Sequence, residues 1–167
     1  LLKIPHSVIW LLKSNISSEM NLKKEAEIRG VNSSRLIFAE RMDNPDHLAR
    51  HSLADLFLDT FNVNAHTTAS DALWGGLPIV TLLGNSFPSR VSASLLKSIG
   101  FEELICNSIE EYEKLAFKIA NNKNIYLNLK KKLNKNINEY PLFDTELFCY
   151  NIEKAYGIIY DSFISNK

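Results

Sequence analysis

Residues 54–82 run Ala54-Asp55-Leu56-Phe57-Leu58-Asp59, then Thr60-Phe61-Asn62-Val63-Asn64-Ala65-His66, then Thr67-Thr68-Ala69-Ser70-Asp71-Ala72-Leu73-Trp74-Gly75-Gly76-Leu77, then Pro78-Ile79-Val80-Thr81-Leu82. The first block is a short, mostly apolar run of strand length. The second is a polar loop. The third opens with two threonines and has the composition of a helix. The fourth is a β-rich apolar run behind a proline. A strand, a helix and a second strand in under 30 residues make a βαβ unit, whose two strands must lie parallel.

The same alternation extends in both directions. Ser7-Val8-Ile9-Trp10-Leu11-Leu12 is an apolar run expected to be a strand buried on both faces. Residues 18–29 form an expected surface helix that stops at Gly30, and Arg35-Leu36-Ile37-Phe38 a second strand. Asn44-Pro45 is expected to open a helix running to about His51, with Asn44 as its cap and Pro45 in the first turn. Downstream, a helix over 89–99 stops at Gly100, and Glu103-Leu104-Ile105 is a short fifth strand. From residue 108 the chain reads as helical, and Ser108-Ile109-Glu110-Glu111 has the form of a capping box. The Lys/Asn-rich stretch 121–136 is a solvated helix face. Pro141 interrupts the pattern, and a last amphipathic helix runs from about Asp144 to Phe163. The fold class expected is α/β: a Rossmann-like parallel sheet with helices on both faces and a helical C-terminus. The division expected is a lobe over 1–140 and a helical segment over 141–167.

Composition removes several classes of function. The 167 residues are 46% hydrophobic and 23% charged, as in a globular domain. Nineteen Lys and Arg balance nineteen Asp and Glu, so the electrostatic footprint of a general nucleic-acid binder is missing. No apolar run reaches the ~20 residues needed to span a bilayer. Cys106 and Cys149 are too few for a disulfide framework and lack the neighbours of a zinc site. These features predict a soluble cytoplasmic domain, and a start on Leu1 instead of Met predicts a piece of a longer protein.

Ligands of open parallel sheets bind outside the carboxyl ends of the strands. That directs attention to the loops after Phe38, Leu58 and Leu82. After Leu58, a helix start at Thr67-Thr68 offers N–H groups without internal partners and the positive end of a helix dipole, an anion site. The two hydroxyls and His66 add donors suited to phosphate. Asp71, four residues on from Thr67, shares its side of the helix and suits a sugar hydroxyl. Together they suggest a nucleotide, with phosphates at the helix start and ribose at Asp71. The competing reading is local: Thr68-x-x-Asp71 is also a helix-start box, with Thr68 as cap. After Phe38, His47, Arg50 and His51 share a helix face, where Arg50 could bond a base or phosphate and His47 could stack on a base or ribose. A plain solvated face explains them equally. Their spacing lacks the Glu and third ligand of a zinc site. After Leu82, Leu83-Gly84-Asn85-Ser86-Phe87-Pro88-Ser89-Arg90 combines a turn glycine, two capping serines and an arginine that reaches either a phosphate or the surface. No glycine-rich phosphate loop, metal-binding Asp pair or nucleophile elbow is present.

The run from His66 to Thr81 resembles the O-GlcNAc transferase family, which includes the SPINDLY proteins of plants and bacterial relatives with tetratricopeptide repeats. Leu53 to Thr60, His47-Leu48-Ala49-Arg50 and Ser89-Arg90-Val91-Ser92-Ala93-Ser94-Leu95 carry the resemblance further, and it extends from Ser7 to Phe143. It implies the C-terminal half of a two-lobed GT-B glycosyltransferase, inverting and metal-independent, needing no cofactor. By position, His66, Thr67 and Thr68 would contact the diphosphate and Asp71 the ribose. His47 and Arg50 would pack on or bond the uridine, with the Met42 backbone near the base. Val63 would line the pocket beside the donor sugar.

The implied reaction transfers GlcNAc from UDP-GlcNAc to Ser/Thr of a protein acceptor. The implied partners are UDP or a UDP-sugar, the protein acceptor, an N-terminal catalytic lobe and an upstream tetratricopeptide region. A phosphate-binding lysine and the acceptor-side groups would lie in the other lobe, so no catalytic residue is expected in this chain. The helix after Pro141 would cross back to that lobe. Animal members place a lysine where Asn44 stands here, which leaves UDP-glucose and GDP-fucose open as donors. A scaffold or regulatory module that retains the fold is the alternative outside enzymes.

Overall fold

In the computed structural model, which describes residues 1–166, each of the five apolar runs contributes a strand. They are β1 (Ile9–Leu12), β2 (Leu36–Ala39), β3 (Phe57–Leu58), β4 (Ile79–Leu82) and β5 (Ile105–Cys106). Between and after them lie α1 (Ile16–Ile28), α2 (Asn44–Arg50), α3 (Thr67–Trp74), α4 (Val91–Ser98), α5 (Ile109–Ala120), α6 (Lys123–Glu139) and α7 (Thr145–Ser165). All strand pairs are parallel. β1 pairs with β2, placing Trp10 opposite Ile37. β4 lies between β3 and β5, with Leu58 opposite Val80 and Thr81 opposite Ile105. The hydrogen-bonded strands thus form two groups flanked by helices, the α/β architecture expected.

The core is centred on β4. Ile79, Val80 and Thr81 are buried there, and α3 contributes Ala69, Ala72 and Leu73. Leu96 of α4, Ile119 of α5, and Leu129 and Leu133 of α6 complete the cluster with Ile99, Phe101 and Leu104. Burying these side chains is what drives the strands and helices together, each large one stabilising by roughly 1.5–3 kcal/mol. The turn after α4 needs glycine: Gly100 has φ +74°, and the Tyr140 ring occupies the space of its missing Cβ. Buried Asn136 of α6 donates to the Ile99 carbonyl at 2.7 Å, so the end of α4 keeps its hydrogen bond inside the core. Leu142 and Phe143, in the 3-10 turn at Pro141–Phe143, pack against the core, and α7 follows with no buried residue. Lys167, the last residue of the segment expected over 141–167, lies outside the described residues.

Several local expectations need correction. β1 is not buried on both faces: Trp10 is 41% and Leu12 48% exposed, because nothing among the described residues covers that side. α1 begins earlier than expected, at Ile16, where the Asn15 side chain accepts from the Ser18 N–H at 2.8 Å. Asn44 is the first helical residue of α2, and the residue in cap position is Asp43, which makes no side-chain cap bond. Thr68 does not cap α3 either, since that helix already begins at Thr67 behind His66. The capping box at α5 forms in modified shape. Ser108 accepts from the Glu111 N–H at 3.1 Å, while the Glu111 carboxylate reaches back to the Asn107 N–H at 2.8 Å. Among the described residues no helix is long and apolar enough to cross a membrane.

Candidate functional site

The loops leaving the carboxyl ends of β3 and β4 are joined at one carbonyl. Pro88 O accepts the Asn64 N–H at 2.9 Å, and the His66 Nε2 lies 3.4 Å from the same oxygen. Phe87 meets the His66 ring edge-on. Ser92 at the start of α4 donates to the Ala65 carbonyl at 2.8 Å. Gly84 holds the second loop tight: its N–H donates to Ser89 O at 2.9 Å, and a Cβ there would meet the Ser89 Oγ at 2.2 Å. His66 is therefore fixed at the mouth of α3 by contacts from both loops.

At that mouth, Thr67 and Thr68 are exposed, and their side chains have no hydrogen-bond partner among the described residues. The first amides of α3 to find a backbone acceptor belong to Ala69 and Ser70, both on His66 O. The N–H groups of Thr67 and Thr68 make no backbone hydrogen bond among the described residues and stand at the positive end of the helix dipole. An anion is the ligand that such donors complete.

The second half of the site is built by α2 lying against α3. The Arg50 guanidinium donates to the His47 Nδ1 at 2.8 Å and to the Glu40 carbonyl at 2.9 Å. Arginine has no acceptor, so Nδ1 carries no proton and the His47 N–H is at Nε2. That nitrogen lies 3.5 Å from the Asp71 Oδ2. Arg50, His47 and Asp71 thus form a polar row across two helices, one hydrogen bond and one 3.5 Å contact. Gly75 makes the approach possible: a Cβ there would stand 2.7 Å from the His51 Cβ and 3.1 Å from the Leu48 carbonyl. His51 packs edge-on against His47, with ring centroids 4.8 Å apart, and its Nε2 is buried without a partner. Burial above all, then the neighbouring His47 and Arg50, push the His51 imidazole below its ordinary pKa, with Asp71 opposing.

The structure therefore brings His47, Arg50 and Asp71 together, Arg50 hydrogen-bonded to His47 and His47 3.5 Å from Asp71, and sets His66, Thr67 and Thr68 together at the start of α3. Met42, on the loop entering α2, and Val63, on the loop entering α3, are both exposed. Arg90 is exposed and makes no ion pair among the described residues. The residues that sequence reasoning passed over are those behind the loop: Asp59, Asn64, Thr81 and Tyr112. Their one visible signal is a polar residue, Asp59, at the end of an apolar run.

Residues 1–152 match the family described as glycosyl transferase family 41. The chain is 38% identical over 155 residues to a probable UDP-N-acetylglucosamine–peptide N-acetylglucosaminyltransferase, SEC, of Arabidopsis thaliana, covering 92% of this chain and 16% of that protein. It is 33% identical over 154 residues to the UDP-N-acetylglucosamine–peptide N-acetylglucosaminyltransferase of Caenorhabditis elegans, covering 92% of this chain and 13% of the relative. Among solved structures, a mutant of the Thermobaculum terrenum O-GlcNAc transferase superposes with a TM-score of 0.87 at 30% identity, over 93% of this chain and 31% of that one. The chain thus spans less than a fifth of the length of these two curated relatives. With nearly its whole length matched by sequence and by fold, and with its helix start and polar row grouped at the carboxyl ends of its strands, the chain belongs to glycosyl transferase family 41.

Proposed function

We propose that this chain is the donor-binding C-terminal lobe of an inverting, metal-independent protein O-glycosyltransferase that moves GlcNAc from UDP-GlcNAc to Ser or Thr of a protein. The observation that carries the reading is the start of α3, where Thr67 and Thr68 present unused donors beside an anchored His66. The similarity to peptide N-acetylglucosaminyltransferases supports the donor and acceptor classes.

In this reading the diphosphate rests on His66, Thr67 and Thr68. As the bond to the sugar breaks, negative charge grows on that diphosphate, and donors fixed in advance stabilise it without reorganising. Asp71 accepts from a ribose hydroxyl, its orientation tied to His47 and Arg50. Those two side chains hold the base, with the Met42 backbone beside it, and Val63 borders the sugar. The acceptor, an N-terminal lobe and an upstream repeat region complete the enzyme in the cytoplasm. α7 is the element we assign to contact that lobe: Leu147, Phe148, Ile158 and Ile159 are all exposed on it.

Calorimetric titration of the full-length protein with UDP, UMP and GDP tests the reading. UDP binding well above UMP supports a diphosphate on α3. Stronger binding of GDP keeps the site and moves the donor to a GDP-sugar. Binding of none of the three overturns the donor assignment in favour of a non-catalytic module.

A further inference from the structure

Behind the donor-facing surface lies a carboxylate that the binding scheme does not use. Asp59 is 3% exposed and makes no ion pair among the described residues. A buried charge without a counter-ion is costly unless hydrogen bonds satisfy it. Here they do. Oδ1 accepts the N–H groups of Thr60, at 2.9 Å, and Ala65, at 2.7 Å. Oδ2 accepts the Thr81 hydroxyl from the middle of β4 at 2.6 Å. The Asp59 carbonyl accepts the Tyr112 hydroxyl from α5 at 3.0 Å.

The two bonds to Oδ1 join Thr60, near the start of the β3–α3 loop, to Ala65, just before His66. The loop between them turns through Asn62 at φ +68° and is tied again by the Thr60 hydroxyl to Val63 O and by Asn64 Nδ2 to Thr60 O. Its tip, carrying Phe61 and Val63, is exposed, while its two ends are locked. The bond to Thr81 fastens this closed loop to the most buried strand of the core. Among the described residues no other side chain links both ends of the loop to β4.

We infer that Asp59 is a positioning residue for the donor site: its buried carboxylate closes the 59–65 loop onto Thr81 and so sets where His66 and the start of α3 present their donors. The inference rests on the donor reading above for its consequence, but the closure itself does not. What matters is acceptor geometry, because two of the three donors are backbone amides that any correctly placed oxygen satisfies. Asn at position 59 offers that oxygen to both amides and an amide group to the Thr81 hydroxyl, which can reverse its role. Ala offers neither.

The test uses the full-length protein with Asp59→Ala, Asp59→Asn and Thr81→Val. Amide hydrogen exchange is followed at residues 60–68 and in β4, alongside UDP affinity and the thermal midpoint. Asp59→Ala is expected to speed exchange at 60–68 about tenfold or more, the effect of losing a buried hydrogen bond or two. UDP affinity should fall by a similar factor. Thr81→Val should do the same to a lesser degree, with β4 still protected, and Asp59→Asn should return both readouts to within about threefold of the parent. Unchanged exchange at 60–68 in Asp59→Ala and Thr81→Val overturns the inference, as does an Asp59→Asn variant no better than Asp59→Ala. If Asp59→Ala fails to fold, Thr81→Val and Asp59→Asn still decide. If the parent binds no UDP, the donor reading fails and amide exchange alone judges the closure.

Discussion

Residues 57–143 and the two segments that flank them differ in what they bury. The middle of the chain carries a core around β4 that includes Ile79, Leu96, Phe101 and Leu133, all at or near zero exposure. Before it, Val31 is the one buried hydrophobic side chain among the described residues, and β1, β2 and α1 leave Trp10, Leu12, Ile16, Met20 and Ile37 exposed. After it, α7 runs for 21 residues with none buried. Yet β1 and β2 pair in full register and α7 is capped by Asp144, which accepts from the Leu147 N–H at 2.9 Å. Local pattern suffices to form a strand or a helix. Burial needs a neighbour on the other side, and only the middle region carries enough of its own.

Substitution in the two regions should divide them sharply. Phe101→Ala in the core is expected to cost about 3–5 kcal/mol in a denaturant titration, from lost burial plus the cavity left behind. Trp10→Ala on the open face of β1 is expected to cost under about 1 kcal/mol, as for surface sites generally. Equal losses would mean that the flanking segment is packed after all.

A second experiment probes where the first region meets the middle one. Gly75→Ala pushes a methyl group into His51 and the Leu48 carbonyl, so α2 must move off α3. Overpacking of this kind costs about 1–3 kcal/mol. Because His47 and Asp71 face each other across that seam, the variant should also weaken nucleotide binding. Stability lost with affinity intact would detach α2 from the donor site.

Substitutions at the mouth of α3 should act on binding alone. His66→Ala and Thr67→Ala are each expected to weaken UDP binding by about 1–3 kcal/mol in calorimetry, the range for one hydrogen bond to a charged group. Both side chains are exposed, so the thermal midpoint should barely move. Unchanged affinity in both variants would remove the phosphate assignment.

The smallest effect expected is one of pH. His51 is held below its ordinary pKa of 6.5 in the fold, mainly by burial. The unfolded chain therefore binds this proton more readily than the folded one. Stability from this group is complete above about pH 6.5 and declines as pH falls toward the lowered folded value. His51→Gln should flatten that part of the stability profile. A profile of the same slope in the variant would assign the titration to another group.

Much of the site was legible without coordinates. His66, Thr67 and Thr68 stood at the junction of an apolar run, a polar loop and a helix, and a helix start has the same donors in any fold. Spacing alone sets Asp71 on the side of α3 that Thr67 shares, but it does not give the residue that Asp71 faces. His47 lies 24 positions earlier, and no local rule joins the two; the contact exists because Gly75 lets one helix approach the other. The caps were harder. Thr68 and Asn44 have capping chemistry, yet α3 begins two residues and α2 one residue sooner than those caps require, since helix ends are set by tertiary contacts as much as by side-chain preference. In the sequence Asp59 reads only as the end of a strand, because its partners Thr81 and Tyr112 come from β4 and α5.

The alternation of apolar runs and helices, the parallel pairing it entails and the family to which the chain belongs were all contained in the sequence. Each depends on short-range periodicity or on an extended run of matching residues. Tertiary structure alone decided three other things: which strands find cover, how α2 reaches α3, and how a buried carboxylate closes the loop before His66. Those depend on groups distant in sequence and adjacent in space, where the cost of burying a polar atom selects one arrangement over its neighbours.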